Sequence, residues 1–544
     1  MLLLLLSCLQ ALGQAPRDTG NQVTITIRHA DFLERATTDT ASYVMKLVGN
    51  VALVQGSSQL FCDSAYLNLE KNNVEAFGNV RIVQPGANVQ SDYLRYTGNT
   101  RQAFLQGNVS LTNGKDNLWA EELYYNTGTK LATYALGGTL QTENTTLSSN
   151  SGSYNLNSKD ARFTGEVYVS DPQYNTQSED LGYNTVTKVV TFYGPSVVTN
   201  DKSELRTSKG TYDSKREVAH FTARSSILSG GQYIEANLLD YDRKTGYGLA
   251  VGNVIALDTT QQITLYSGRA SYNEISRVLL ATEKPVLKRQ NETDSLFARA
   301  DTFYSAPVTA LHTLQPGRKD SAVQAADSAA KKPVRKVKRP ALDSVAAPVP
   351  ADSTAPRFFI GFHHVRVFSD SLQARADSIS YSQQDSVLRL MGSPVAWSRH
   401  SQVTGDTILL FTDSGRLKRL LVPNNAFLVS RSGPEKADLF DQVQGRTLEG
   451  IFENNEFRFA EVWPNAESIH FVQDEEKRYV GVSQAASERI KIFFEKSGIS
   501  RIVYEQDATQ TLTPMQQANL PAMRLSRFTW REKERPKSKA ELFE

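Results

Sequence analysis

The residues that could carry chemistry are few and scattered. The seven histidines, His29, His220, His312, His363, His364, His400 and His470, show no His-Glu-x-x-His spacing, and Cys8 and Cys62 form no paired-cysteine motif. His363-His364 is a close pair, but neighbouring residues of a strand point to opposite faces and are not expected to share a ligand. A Gly-x-Ser-x-Gly nucleophile turn and a phosphate loop are both missing. Asp63, Asp180, Asp301, Asp377 and Asp406 fall near positions read as turns, where a short carboxylate caps backbone N–H groups rather than moving protons. No catalytic residue, metal site or cofactor is assigned, and the chain is not expected to be an enzyme.

Charge removes another class. The 544 residues carry 60 Lys+Arg against 58 Asp+Glu, a net +2, which argues against a nucleic-acid partner held by bulk electrostatics. At 40% hydrophobic and 22% charged residues the chain is globular in composition. Basic residues concentrate between Arg318 and Arg339, where they exceed the acids by six. That segment reads either as a solvated linker or as a patch meeting lipid phosphates or an anionic surface.

Two interleaved markers then define the elements. Gly49-Asn50-Val51, Gly78-Asn79-Val80 and Gly107-Asn108-Val109 recur every 29 residues, with degenerate copies at Gly137, Gly165, Gly194 and Gly252. Between them run Tyr66, Tyr96, Tyr125, Tyr154, Tyr183, Tyr212, Tyr241 and Tyr272, spaced 29 to 31 residues apart. Around each glycine the chain alternates with period two, as in Ala103, Leu105, Gly107, Val109 and Leu111, so these are strands with one apolar face. The glycine suits a bulge where a strand turns a corner, and the Tyr-Asn/Asp segments have the content of turns.

The expected organisation is an export signal at 1–13 cut after about Gly13, a repeat array at 20–305, a basic Ala/Pro-rich linker or insertion at 306–357, continuing strands at 358–430, a β-hairpin region at 431–525 and a charged disordered tail at 526–544. Leu6-Ser7-Cys8 offers a lipoprotein cleavage site as the alternative start. The hairpins are read from polar turns at Ser414-Gly415, Asn454-Asn455 and Lys496-Ser497, each between apolar runs.

The Gly-Asn-Val series with its interleaved Tyr-Asn/Asp segments resembles the organic-solvent-tolerance A (OstA-like) family, across about 45–305 and more weakly 358–505. The resemblance implies an all-β, repetitive open β-jellyroll, followed here by the hairpin-rich C-terminal region. It further implies a periplasmic protein, or one associated with the outer membrane, that binds lipopolysaccharide by its acyl chains and moves it toward the outer membrane. Its implied partners are other lipopolysaccharide-transport envelope proteins, joined by edge-strand pairing, with self-association as a further mode. Groove-lining positions are Val51, Leu53, Val80, Ile82, Leu105, Val109, Leu111, Phe163, Val167, Val169, Phe192 and Phe221. Periodicity alone fits an ordinary closed core equally well, and the alternative function is a structural or adhesive cell-surface β-solenoid without lipid.

Overall fold

The computed structural model describes residues 23–37, 43–259, 262–290, 295–309, 356–413, 416–453, 456–495 and 498–544. The export signal, Cys8 and the basic residues between 318 and 339 lie outside them. Antiparallel strands dominate, and the named helical elements are 3-10 turns of three or four residues. No helix among the described residues is long and apolar enough to cross a membrane. The chain divides into two compact units, 1–201 with 213–215, and 202–212 with 216–544.

In the N-terminal unit the long strands, such as Tyr43–Gln55, Asn73–Gln84, Gln102–Asn113 and Asp160–Ser170, each run through two half-sheets. The short strands pair within one half only. Ser151–Asn155 lies against Leu131–Tyr134 and the first part of Asp160–Ser170, while Thr146–Ser149 lies against Gly138–Gln141 and its last part. Between the halves the ladder slips, at Val48/Val51, Phe77/Val80, Gln106/Val109 and Thr164/Val167. These are the glycine positions, so the expected bulge is where the sequence placed it.

Both residues of each bulge are left-handed, for example Gly107 at φ 77° and Asn108 at φ 49°. Two consecutive residues of that kind cannot continue a strand, and the chain bends there. Gly107 is needed for a second reason: a Cβ on it would stand 2.7 Å from Asp92 Oδ2. Asn tolerates the left-handed region better than other side chains, which explains why Asn follows the glycine.

The C-terminal unit repeats the plan. Tyr247–Asp258, Ile263–Asn273, Arg357–Phe368 and Gln373–Ser382 span both halves, and later strands such as Val387–Met391 and Val395–Ser398 belong to one half each. At one corner His363 (φ 60°) and His364 (φ 51°) replace Gly-Asn, with the ladder slipping between Phe362 and Val365. Strand alternation therefore does not apply to this pair. Thr302–Pro307 pairs directly with the start of Arg357–Phe368, so residues 310–355 connect two adjacent strands. The three C-terminal hairpins form as expected, Thr407–Asp413 with Arg416–Val422, Thr447–Glu453 with Glu456–Trp463, and Arg489–Glu495 with Gly498–Glu505.

The disordered tail expected at 526–544 is corrected by the structure. Phe528 and Trp530, with Leu525, pack on Phe427, Val429 and Phe440, and Leu542 is fully buried against Val286 and Phe297. One of its carboxylates is tied down as well: Glu534 accepts from Arg531 at 2.7 Å and from Arg375 at 2.8 Å. A high charge count concealed the apolar residues Phe528, Trp530 and Leu542 that anchor the segment.

Candidate functional site

Eleven of the twelve expected lining residues, Val51 through Phe192, lie in the N-terminal unit, on the apolar face of the long strands or of Val189–Phe192. All are between 0 and 5% exposed. Phe221, 2% exposed on Val218–Phe221, belongs to the C-terminal unit. In the N-terminal unit the two half-sheets close over this face. A cavity of about 30 Å³ lies among Ile25, Leu53, Leu60, Val74, Ile82 and Leu94. That is room for about two waters and far below an acyl chain. The open form implied by the resemblance is not the form seen.

What closes the unit is a polar seam. Gln55 ends a strand in one half-sheet, and Tyr96 lies near the tip of the other, where it pairs with Val74. Tyr96 donates from Oη to Gln55 Oε1, and Gln55 Nε2 donates to Gly98 O at 3.0 Å. The next repeat does the same: Tyr125 Oη donates to Gln84 Oε1 at 2.6 Å, and Gln84 Nε2 donates to Thr127 O at 3.1 Å. In the third, Asn113 Nδ2 donates to Leu156 O at 3.0 Å, while Tyr154 Oη and Thr185 Oγ1 donate to Asp116 Oδ2 at 2.6 and 2.8 Å. Burial raises the phenol of Tyr125 to about 12 and pushes that of Tyr154 up as well, with Asp116 adding to the effect.

Tyr96, Tyr125 and Tyr154 of the tyrosine series thus lie near strand ends as buried latches rather than in turns, while Tyr66 is exposed. The Asn that follows Tyr125 makes the turn: Asn126 Oδ1 accepts from the backbone N–H of Gly128 and Thr129, both at 2.9 Å, and Asn155 and Asn184 do likewise. Sequence reading missed the latch acceptors. Yet Gln55, Gln84 and Asn113 recur every 29 residues, a signal that was there to be read.

The recurring acids sit at the mid-strand corners instead of the turns. Asn79 donates to Asp63 Oδ2 at 2.9 Å, Asn425 to Asp406 at 2.9 Å, and His364 meets Asp301 at 2.8 Å and His363 Asp377 at 3.2 Å. Among the described residues no three His, Cys, Asp or Glu side chains gather as a metal would require. Cys62 is buried, its thiol raised to about 12 by burial and then by Asp63.

The N-terminal unit also presents a sheet edge. Thr26–His29 and Phe32–Thr37 both pair with Tyr43–Gln55 and, among the described residues, with no further strand. Phe32 is 75% exposed there.

Residues 22–179 match the family described as OstA-like protein. The chain is also similar to the crystal structure of LptH, the LptA-homologous periplasmic component of the lipopolysaccharide transport device from Pseudomonas aeruginosa. Identity is 19%, the match covers 20% of this chain and 81% of that one, and the TM-score is 0.19. No curated protein matches the sequence.

Proposed function

With residues 22–179 OstA-like, we propose that this chain is a non-enzymatic, exported, lipopolysaccharide-binding protein that holds the acyl chains of its cargo between half-sheets and helps pass it toward the outer membrane. The observation that supports the reading is an overlap: the OstA-like stretch covers most of the unit whose half-sheets bend on left-handed bulges such as Gly107-Asn108 around a mainly apolar face. Acyl chains suit such a face because each buried methylene contributes about 0.8 kcal/mol without a specific polar contact. The periplasm is the proposed compartment. Other lipopolysaccharide-transport envelope proteins are the proposed partners, adding a strand beside Thr26–His29 and Phe32–Thr37, where a second copy could also pair.

The near-complete burial of the lining favours a second reading, a structural or adhesive β-solenoid whose apolar face is a permanent core. Photo-crosslinkers at Leu105 and Phe163 in cells, with Gln106 and Thr164 as outward controls, separate the two, together with mass spectrometry of co-purified lipid. Lipopolysaccharide adducts confined to the inward positions support transport. Lipid-free protein without adducts means the scaffold.

A further inference from the structure

We infer that the N-terminal unit opens along its tyrosine-amide seam, and that this parting is the route by which its interior becomes accessible. The inference rests on the transport reading for its purpose but on geometry for its mechanics.

Three boundaries could in principle yield. Separating neighbouring strands breaks a long backbone ladder, such as the ten paired positions between Gln102–Asn113 and Asp116–Asn126. The corner is covalently continuous in every long strand and is tied by Asn-to-Asp bonds such as Asn108 to Asp92 at 2.7 Å. The mouth is joined differently. The bonds described across it come from side chains: a tyrosine hydroxyl and an amide in the first two repeats, Lys130 Nζ on Pro85 O at 2.9 Å, and in the third Asn113 with Tyr154, Thr185 and Lys159 on Asp116; each neutral one nets little when water can replace it. The weakest boundary therefore lies opposite the bulges, where left-handed pairs already interrupt the ladder and can serve as a hinge.

The repeat gives the seam its form. Tyr96 meets Gln55, and Tyr125 meets Gln84, each 41 residues apart, so every latch joins one repeat to the next. Asn113 and Tyr154 keep the same separation at 3.5 Å, with Asp116 as the stronger acceptor. Latches of this kind release one at a time. A cavity of about 30 Å³ beneath the first of them leaves no room there for an acyl chain in the closed form.

Hydrogen exchange on the full chain tests this. Strand tips around 53–55, 82–84 and 94–97 should exchange faster than the corners around 47–51 and 76–80. Tyr125→Phe should raise tip exchange about tenfold, equivalent to about 1.4 kcal/mol, and leave the corners unchanged. Tips and corners accelerating together would mean global destabilisation and would overturn the seam, as would tips that exchange as slowly as corners in the native protein. Purified lipopolysaccharide is the probe for purpose. Altered tip exchange on its addition supports both readings; tips that open yet ignore it support the seam while removing the transport reading.

Discussion

Asn108 donates from Nδ2 to Asp92 Oδ2 at 2.7 Å, joining the second residue of a Gly-Asn bulge to the carboxylate of the preceding long strand. The same bond links Asn79 to Asp63 and Asn50 to Asp31, at 2.9 and 3.0 Å. The corner of the N-terminal unit is a row of these pairs, packed so closely against the glycines that the carboxylate occupies the space a Cβ would need.

Gly107→Ala should accordingly cost about 1–3 kcal/mol of unfolding free energy, from left-handed strain plus the contact with Asp92. Asp92→Gly in the same chain should recover part of it by removing the contact. Equilibrium urea unfolding measures both, and an unaffected Gly107→Ala protein would refute this account of the corner.

The latch predicts an alkaline limit. The native pKa of Tyr125, about 12, lies above its ordinary value of 10, so the unfolded chain loses that proton first. The stabilising term is complete below pH 10 and is lost as pH rises toward about 12, at about 1.4 kcal/mol per pH unit. Tyr154 acts in the same direction. Tyr125→Phe should flatten the decline of denaturation midpoint with pH above 10; an unchanged slope would show that Tyr125 does not carry it.

Cys62 gives an independent reading of the closed interior. A buried thiol raised to about 12 is almost wholly protonated at neutral pH. Labelling by a thiol-specific disulfide reagent should be slow in native protein and immediate in denaturant. Rapid native labelling would mean that the interior beside Asp63 is already open.

The tail makes a fourth case. Gln442 Nε2 donates to Met523 O at 3.0 Å while its Oε1 accepts from Leu525 N at 2.9 Å, so one side-chain amide pairs with the tail as a strand would. Gln402 does the same with Thr529 O and Arg531 N, at 2.8 and 2.7 Å. Gln442→Ala should destabilise the tail by about 1–3 kcal/mol and make it sensitive to protease. Truncation after Arg524 should expose Phe427 and Phe440 and raise binding of a hydrophobic dye; unchanged dye binding would count against the packing described.

Period-two alternation, the bulge at each Gly-Asn and the all-β class were legible in the amino-acid order because each depends on residues a few positions apart. The turn-forming Asn126, Asn155 and Asn184 after Tyr125, Tyr154 and Tyr183 were legible for the same reason. The roles of Gln55 with Tyr96, of Asp92 with Asn108 and of Gln442 with Leu525 were not, since their partners stand 41, 16 and 83 residues away. Likewise, an alternating strand carries an apolar face whether that face lines a groove or fills a core. Only the approach of the two half-sheets decided that Leu105 and Phe163 are sealed from water, and only the long-range pairing of Arg375 with Glu534 and the burial of Leu542 turned a charged tail into a packed one. Local chemistry sets the strands and their corners; which side chains then meet is decided by distances that sequence spacing does not contain.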